Sequence, residues 1–183
     1  MNPDPLPIGN VSVLELIPIA RTERLRIEPL CEDRFEEYCA IVCHPDTGLF
    51  DEEFPKDQAM ARDSFEESIA REPFTPDCWN EYGVFNEDGE LIGLLSHRDE
   101  LFDNGMFRSR VGYHFHPDKQ GKGFATEAVR ALLDSLNEQG VREVECLVHP
   151  DNARSIALLD RLCFERGEYN VDADELSYSI LLI

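Results

Sequence analysis

Two glycines separated by one residue, set between an apolar strand pattern and the first turn of a helix, make a cradle for an anion. This chain has that arrangement in Gln120-Gly121-Lys122-Gly123-Phe124-Ala125, after a strand pattern that ends at Phe115. Without Cβ atoms, Gly121 and Gly123 let a ligand approach the backbone, and the following helix turn offers unpaired N–H donors. A second polar group lies downstream, where Asn152 precedes a helix pattern and Ser155 follows one turn later on the same face. Glu145, His97 and His114 lie on strand patterns and are the candidates for accepting a proton. His116 and His149 read as strand-end residues before proline. Two nucleotide-binding motifs are excluded. A P-loop needs Ser or Thr after its lysine, whereas Lys122 is followed by Gly123. A dinucleotide fingerprint needs a third glycine where this chain has Thr126.

The elements that position these groups follow from periodicity. Residues 1–20 are proline-containing and irregular, and residues 21–183 read as one domain. Arg24-Leu25-Arg26-Ile27-Glu28 alternates as a strand. Helix patterns run from Glu32 to His44 and from Asp57 to Arg71. Glu81–Phe85, the turn Asn86-Glu87-Asp88-Gly89, and Glu90–Ser96 form a hairpin, followed by an acidic loop. Arg108–Phe115 is a strand, Gly123–Gln139 a helix ended by Gly140, and Val141–Val148 a strand. A helix over Asn152–Leu162 and strands near Phe164–Tyr169 and Leu176–Leu182 complete the chain. This order predicts an α/β layer structure with a mixed, mostly antiparallel sheet of six to seven strands and four helices.

Composition narrows the function. The 38 acidic residues outnumber the 17 basic ones and give a net charge of -21. Lys56, Lys119 and Lys122 are the only lysines. Glu15, Asp33, Asp63, Glu87, Asp134 and Asp174 lie in different segments, so the charge reads as a solvated shell, and nucleic acid is not expected as a partner. The six cysteines show neither paired zinc spacing nor a secreted disulfide framework, which fits a reducing cytoplasm. Cys39, Cys43 and His44 share an apolar stripe with Phe35, Tyr38 and Val42 and read as packing; no metal is expected. The N-terminus, broken by Pro3, Pro5 and Pro7, reads as neither a signal peptide nor a membrane span.

Gln120-x-x-Gly-x-Ala, followed by Thr126-Glu127-Ala128, resembles the pyrophosphate-binding motif of the GNAT superfamily of acetyl-CoA-dependent N-acetyltransferases. Thr22-Glu23-Arg24-Leu25, Gly89-Glu90-Leu91-Ile92-Gly93 and Gly112-Tyr113-His114-Phe115-His116-Pro117 resemble strands of its RimJ/RimL-like branch, which contains ribosomal-protein N-terminal acetyltransferases. Pro150-Asp151-Asn152-Ala153-Arg154-Ser155-Ile156 with Leu162-Cys163-Phe164 is similar to the second cofactor motif. That motif usually ends Leu-Gly-Phe, so Cys163 stands where glycine is usual and its turn is expected to be strained or altered.

The resemblance implies a GNAT fold with a splay between the fourth and fifth strands, so that backbone groups near Phe115 lack a strand partner and bind pantetheine. It implies cofactor contacts at Phe115, His116, Gln120, Gly121, Lys122, Gly123, Phe124, Ala125, Thr126, Asn152 and Ser155. At the reaction centre it implies Ser155 as donor to the departing thiolate, with Tyr113 and Glu145. Many members carry a tyrosine seven residues after the Asn, where this chain has Leu159. The implied reaction is direct attack of a primary amine on acetyl-CoA. A protein N-terminus is the expected acceptor, with a small-molecule amine or a non-catalytic acyl-CoA sensor as alternatives, in a monomer or homodimer. An α-amino group with a pKa of about 8 is roughly a tenth neutral at pH 7, so a weak base or a water chain suffices for it. Glu52, Glu53, Asp99, Glu100 and Asp103 are either solvated loop charges or an attraction for a cationic acceptor.

The diffuse acidity with few lysines also resembles proteins adapted to high salt, where screening relieves self-repulsion. On that reading the thermal midpoint rises steadily from low ionic strength to molar salt. A midpoint independent of salt contradicts it.

Overall fold

The computed structural model describes residues 19–50, 54–72, 75, 77–101 and 107–183. Its chain order is β1 (Ala20–Arg21), β2 (Leu25–Pro29), α1 (Phe35–Val42), α2 (Gln58–Ala70), β3 (Asn80–Asn86), β4 (Leu91–Leu101) and β5 (Phe107–Phe115). It continues with α3 (Phe124–Glu138), β6 (Glu143–Val148), α4 (Ala153–Arg161), β7 (Glu165–Asn170) and β8 (Glu175–Leu181). The strands form one sheet in the order β1-β2-β3-β4-β5-β6-β8-β7. All neighbours are antiparallel except β5 and β6, which the α3 crossover joins in parallel.

The sheet therefore has eight strands among the described residues, one more than the six to seven expected. The addition is β1, which begins inside the segment expected to be irregular. Ala20 pairs with Ile27 and Arg21 with Arg26, a pairing that no two-residue sequence pattern reveals. A second correction concerns the acidic loop. β4 runs on to Leu101, placing Asp99 opposite Ser109 and Glu100 opposite Arg108 in the β5 ladder. Ladder partners, rather than local polarity, decide this segment.

Each face of the sheet carries its own core. Leu25, Ile27, Tyr82, Val84, Leu95, Val111 and Phe115 pack beneath α3 and α4, where Ala128, Val129, Leu132, Leu133, Leu136, Leu158 and Leu159 meet them. The opposite face buries Phe85, Leu91 and Leu94 under Phe35, Tyr38, Ile41, Val42, Ala61 and Phe65 of α1 and α2. Cys39 and Cys43 pack against this second core, with their sulfurs 3.5 Å apart, as the apolar stripe implied. Fully burying each large aliphatic side chain stabilises the fold by about 1.5–3 kcal/mol. Because β-strand side chains alternate, β3 and β4 serve both cores, and the residue order fixes which polar groups reach which face.

Two helices end in the same motif. At α3, Gly140 is left-handed at φ 92°. Its N–H donates to Asn137 O at 3.0 Å, and the N–H of Val141 donates to Leu136 O at 3.1 Å. At α4, Cys163 takes the glycine position with φ 63° and makes the equivalent bonds, Cys163 N–H to Asp160 O and Phe164 N–H to Leu159 O, both 3.1 Å. The turn is thus kept, and the Cβ is strained rather than avoided. Replacing Cys163 with glycine is expected to stabilise the protein by about 1 kcal/mol. A denaturant midpoint that falls in Cys163→Gly contradicts this.

Candidate active site

β5 and β6 pair only at Arg108–Glu143, Ser109–Val144 and Arg110–Glu145. Beyond that point β5 stays bonded to β4 and β6 to β8, so the strands diverge and their facing edges have no ladder partner. Side chains take two of these groups. The Cys146 thiol donates to Val111 O at 3.3 Å, and Gln120 Nε2 donates to Phe115 O at 3.0 Å. Burial, and next the charge of Glu145, push the Cys146 thiol up to about 12, so it remains a neutral donor.

At the wide end of the splay the chain turns through Gly121 (φ 74°) and Gly123 (φ 83°) into α3. An added Cβ at Gly121 meets nothing within 4 Å, so the turn opens outward. Gly123 is the N-cap, and the helix starts at Phe124. The first bond into the helix is Glu127 N–H to Gly123 O at 3.1 Å, which leaves the N–H groups of Phe124, Ala125 and Thr126 without a helical acceptor. These donors and the positive helix end fit a diphosphate. Lys122 is exposed, and its Nζ donates to Asp118 O at 3.1 Å.

Arg24 holds this turn from the side. Its Nη1 donates to Lys122 O at 3.2 Å, and its guanidinium lies 4.7 Å from the Phe124 ring centroid. It also grips Glu127 through Nε at 2.8 Å and Nη2 at 2.5 Å, while Thr22 Oγ1 donates to the other carboxylate oxygen at 2.5 Å. Burial pushes the Glu127 carboxyl up, but the bonds from Thr22 and Arg24 outweigh it and hold the group below its ordinary value. Thr22 and Arg24 belong to the quoted Thr-Glu-Arg-Leu stretch, yet the clamp on Glu127 spans 103 residues of chain and has no local signal.

Asn152 is the N-cap of α4 and accepts from Ser155 N–H at 3.1 Å. Ser155 Oγ lies 2.5 Å from the Tyr113 hydroxyl, joining α4 to β5 across the splay. Leu159, one turn beyond Ser155, is fully buried in the core, so the hydroxyl beside Ser155 comes from Tyr113 on the strand. Burial raises the Tyr113 pKa, so its hydroxyl keeps its proton. Arg154 Nη1 donates to Gln120 Oε1 at 2.8 Å, making a second bridge whose residues adjoin both motifs.

The three proton-acceptor candidates occupy different environments. His97 is fully buried beneath α3, with Nε2 3.2 Å from the Tyr82 hydroxyl and Nδ1 3.1 Å from Asp99. Ser109 Oγ donates to the same Asp99 oxygen at 2.6 Å. Burial raises the Asp99 carboxyl, but its bonds to His97 and Ser109 hold it below its ordinary value, so Asp99 is an internal partner rather than a loop charge. Glu145 pairs with Arg110 at 2.9 Å, and Arg108 lies 4.0 Å from its other oxygen. His114 faces the α1/α2 side, its ring 4.1 Å from that of Phe54. Glu52, Glu53 and Asp103 lie outside the described residues.

Three described residues between α1 and α2 meet the mouth of the splay. Besides Phe54 on His114, His44 meets His116 edge-on at 5.2 Å and Phe50 stacks on His149 at 4.9 Å. His116 also caps the short turn after β5 by accepting from Asp118 N–H at 3.3 Å. A cavity of about 450 Å³ lies here, lined by Val42, His44, Phe50, Phe54, Lys56 and His149 among others. Cys43 also lines it, so its walls combine apolar groups from the end of α1 with the imidazoles of His44 and His149.

Because Arg24 is partly exposed, Arg24→Ala is expected to cost only about 1 kcal/mol at pH 7. Glu127 has a depressed folded-state pKa, so its contribution is full above the ordinary 4.5 and fades as pH falls below it. Urea midpoints at pH 7 and pH 3.5 should show the gap between wild type and variant closing in acid; an equal gap at both contradicts the clamp.

Residues 24–165 match the model of the acetyltransferase (GNAT) domain family. The uncharacterized N-acetyltransferase p20 of Bacillus licheniformis is 33% identical over 84 residues, 45% of this chain and 46% of that one. An L-methionine sulfoximine/L-methionine sulfone acetyltransferase of Pseudomonas paraeruginosa is 33% identical over 79 residues, 42% of this chain and 45% of that one. The chain thus spans about half the length of the curated relatives it matches. The structure of a GNAT-family acetyltransferase from Bacillus anthracis superposes with a TM-score of 0.75 at 18% identity, covering 88% of this chain and 97% of that one. RimL, a ribosomal L7/L12 alpha-N-protein acetyltransferase, gives a TM-score of 0.75 at 20% identity over 97% and 99%. With the family model covering most of its length and the splayed strands beside the glycine turn, this chain belongs to the GNAT acetyltransferase family.

Proposed function

We propose that this protein transfers the acetyl group of acetyl-CoA to the α-amino group of a protein N-terminus. The observation that carries this reading is the divergence of β5 from β6 beside the turn Gly121–Gly123, with donors left open at the start of α3. Phosphate oxygens accept from the turn, the pantetheine amides pair with the strand edges, and the thioester lies near Tyr113. An N–H of β5 in the splay faces the carbonyl oxygen as charge develops there. The amine attacks directly, the C–S bond breaks, and the thiolate takes a proton from the Tyr113–Ser155 pair. The superposition with RimL supports a protein N-terminus as acceptor.

A small amine is the second reading, favoured by the relative named for methionine sulfoximine and by an acceptor-side cavity of about 450 Å³, the size of one amino acid with room to spare. The test is thiol release from acetyl-CoA against peptides of varied N-terminal residue and free amino acids. Peptide turnover is expected, and it should fall about 10-fold or more in both Ser155→Ala and Tyr113→Phe. Turnover confined to free amino acids selects the second reading. Binding of acetyl-CoA without thiol release, on any amine, leaves a sensor domain instead.

A further inference from the structure

Glu81, on the α1/α2 face of the sheet, is a carboxylate that none of the roles above uses. Glu81 is a half-buried residue on β3; Ser68 Oγ of α2 donates to its Oε2 at 2.9 Å, and the Tyr38 phenol of α1 also hydrogen-bonds it. The ladder places Glu81 opposite Ser96 on β4, and Ser96 opposite Gly112 on β5. Directly opposed residues share a face, so these three form a transverse row. Ser96 Oγ points along it, since a Cβ added at Gly112 would lie 2.8 Å from that oxygen. Gly112 is on β5 just past Arg110, the last residue paired with β6. A strip floored by serine and glycine therefore leads from Glu81 to the opening of the splay, about 10 Å away at two strand spacings.

We infer that Glu81 is the terminal proton acceptor for the attacking amine, reached through the Ser96 hydroxyl and solvent lying over Gly112. The inference rests on the transferase reading above. The ammonium gives one proton through Ser96 to the Glu81 carboxylate, which passes it to solvent. The neutral nitrogen forms the C–N bond, the C–S bond breaks, and the second nitrogen proton replaces the one that the Tyr113–Ser155 pair gives to the thiolate. One proton is released overall. Burial pushes the Glu81 carboxyl up from the ordinary 4.5 to about 7, while the bonds from Ser68 and Tyr38 favour its ionised form. Tyr38 is the titratable group in contact with it, with Cys39 and Cys43 of α1 beside that phenol; the elements packed against it also carry Glu67 and Arg71 on either side of Ser68 in sequence and Arg98 two residues beyond Ser96. Arg110 and Glu145 lie further along the same face. Arg71 is tied to Glu67 and to the Trp79 carbonyl, and Arg110 to Glu145.

The test is the pH dependence of kcat and kcat/KM for wild type, Glu81→Gln and Ser68→Ala, with acetyl-CoA and an amine from the panel that the wild type acetylates. Wild type should lose activity in acid with a midpoint near the carboxyl's own value of about 7. Glu81→Gln should lose about 100-fold in kcat at neutral pH, and that acid limb should vanish. Ser68→Ala removes a bond to the ionised form, so its limb should move to higher pH while the activity at alkaline pH stays near wild type. Glu81 also affects stability without any substrate. Its folded-state pKa is raised, so the cost of ionising it appears as pH climbs from about 4.5 through 7, and Glu81→Gln should gain thermal midpoint relative to wild type over that window. An active wild type with an unchanged limb in both variants overturns the inference and leaves the transferase reading intact. If Glu81→Gln does not fold, an unmoved limb in Ser68→Ala alone overturns it. A wild type inactive on every amine removes both.

Discussion

Everything in this fold that bears on function follows from two parallel strands that stop pairing. Arg110 and Glu145 are the last partners, after which β5 and β6 leave backbone donors and acceptors along facing edges. Inside a protein such groups need a partner, and among the described residues a thiol takes Val111 O and an amide takes Phe115 O. The rest are open to an extended ligand carrying amides, and the helix that leaves the wide end adds N–H groups suited to phosphate. Main-chain donors of this kind are set by the fold and cost no side-chain entropy to place. This is how a chain with a net charge of -21 can hold an anion.

The splay is kept open by side chains that fasten its two arms to their surroundings. Arg24 and Thr22 lock Glu127 and, through Lys122 O, the glycine turn. Arg154 and Gln120 link α4 to the end of β5, and Tyr113 and Ser155 link the same elements deeper in. On the other face, three aromatic contacts from the α1–α2 loop rest on the ends of both arms at His114, His116 and His149. The glycine turn and the aromatic cluster thus lie on different faces of one gap, an arrangement suited to the direct transfer between two substrates proposed above.

What the sequence made legible was local. The turn at Gly121 and Gly123, the Asn152 cap, the hairpin around Gly89 and the α3 stop at Gly140 are each specified by residues within one turn of chain, and each is found where its pattern lies. What it hid were partnerships between distant segments. Glu145 finds Arg110 across a parallel ladder, Asp99 turns inward to His97 and Ser109, and Tyr113 meets Ser155 across the splay. Glu81 carries no local mark, as a glutamate on a strand, and only the register shows that it shares a row with Ser96 and Gly112. His97 shows the converse: period two puts it on a strand, but the ladder decides that it faces α3.

The grip of open main-chain amides on a diphosphate can be read atom by atom in the backbone amide NMR spectrum during titration with coenzyme A. Large shifts are expected at Gly121 through Thr126 and along Val111–Phe115, saturating together, with little change at Gly140 and Val141 beyond the far end of α3. Saturable shifts located elsewhere, or none at the two glycines and the first turn of α3, contradict the central claim.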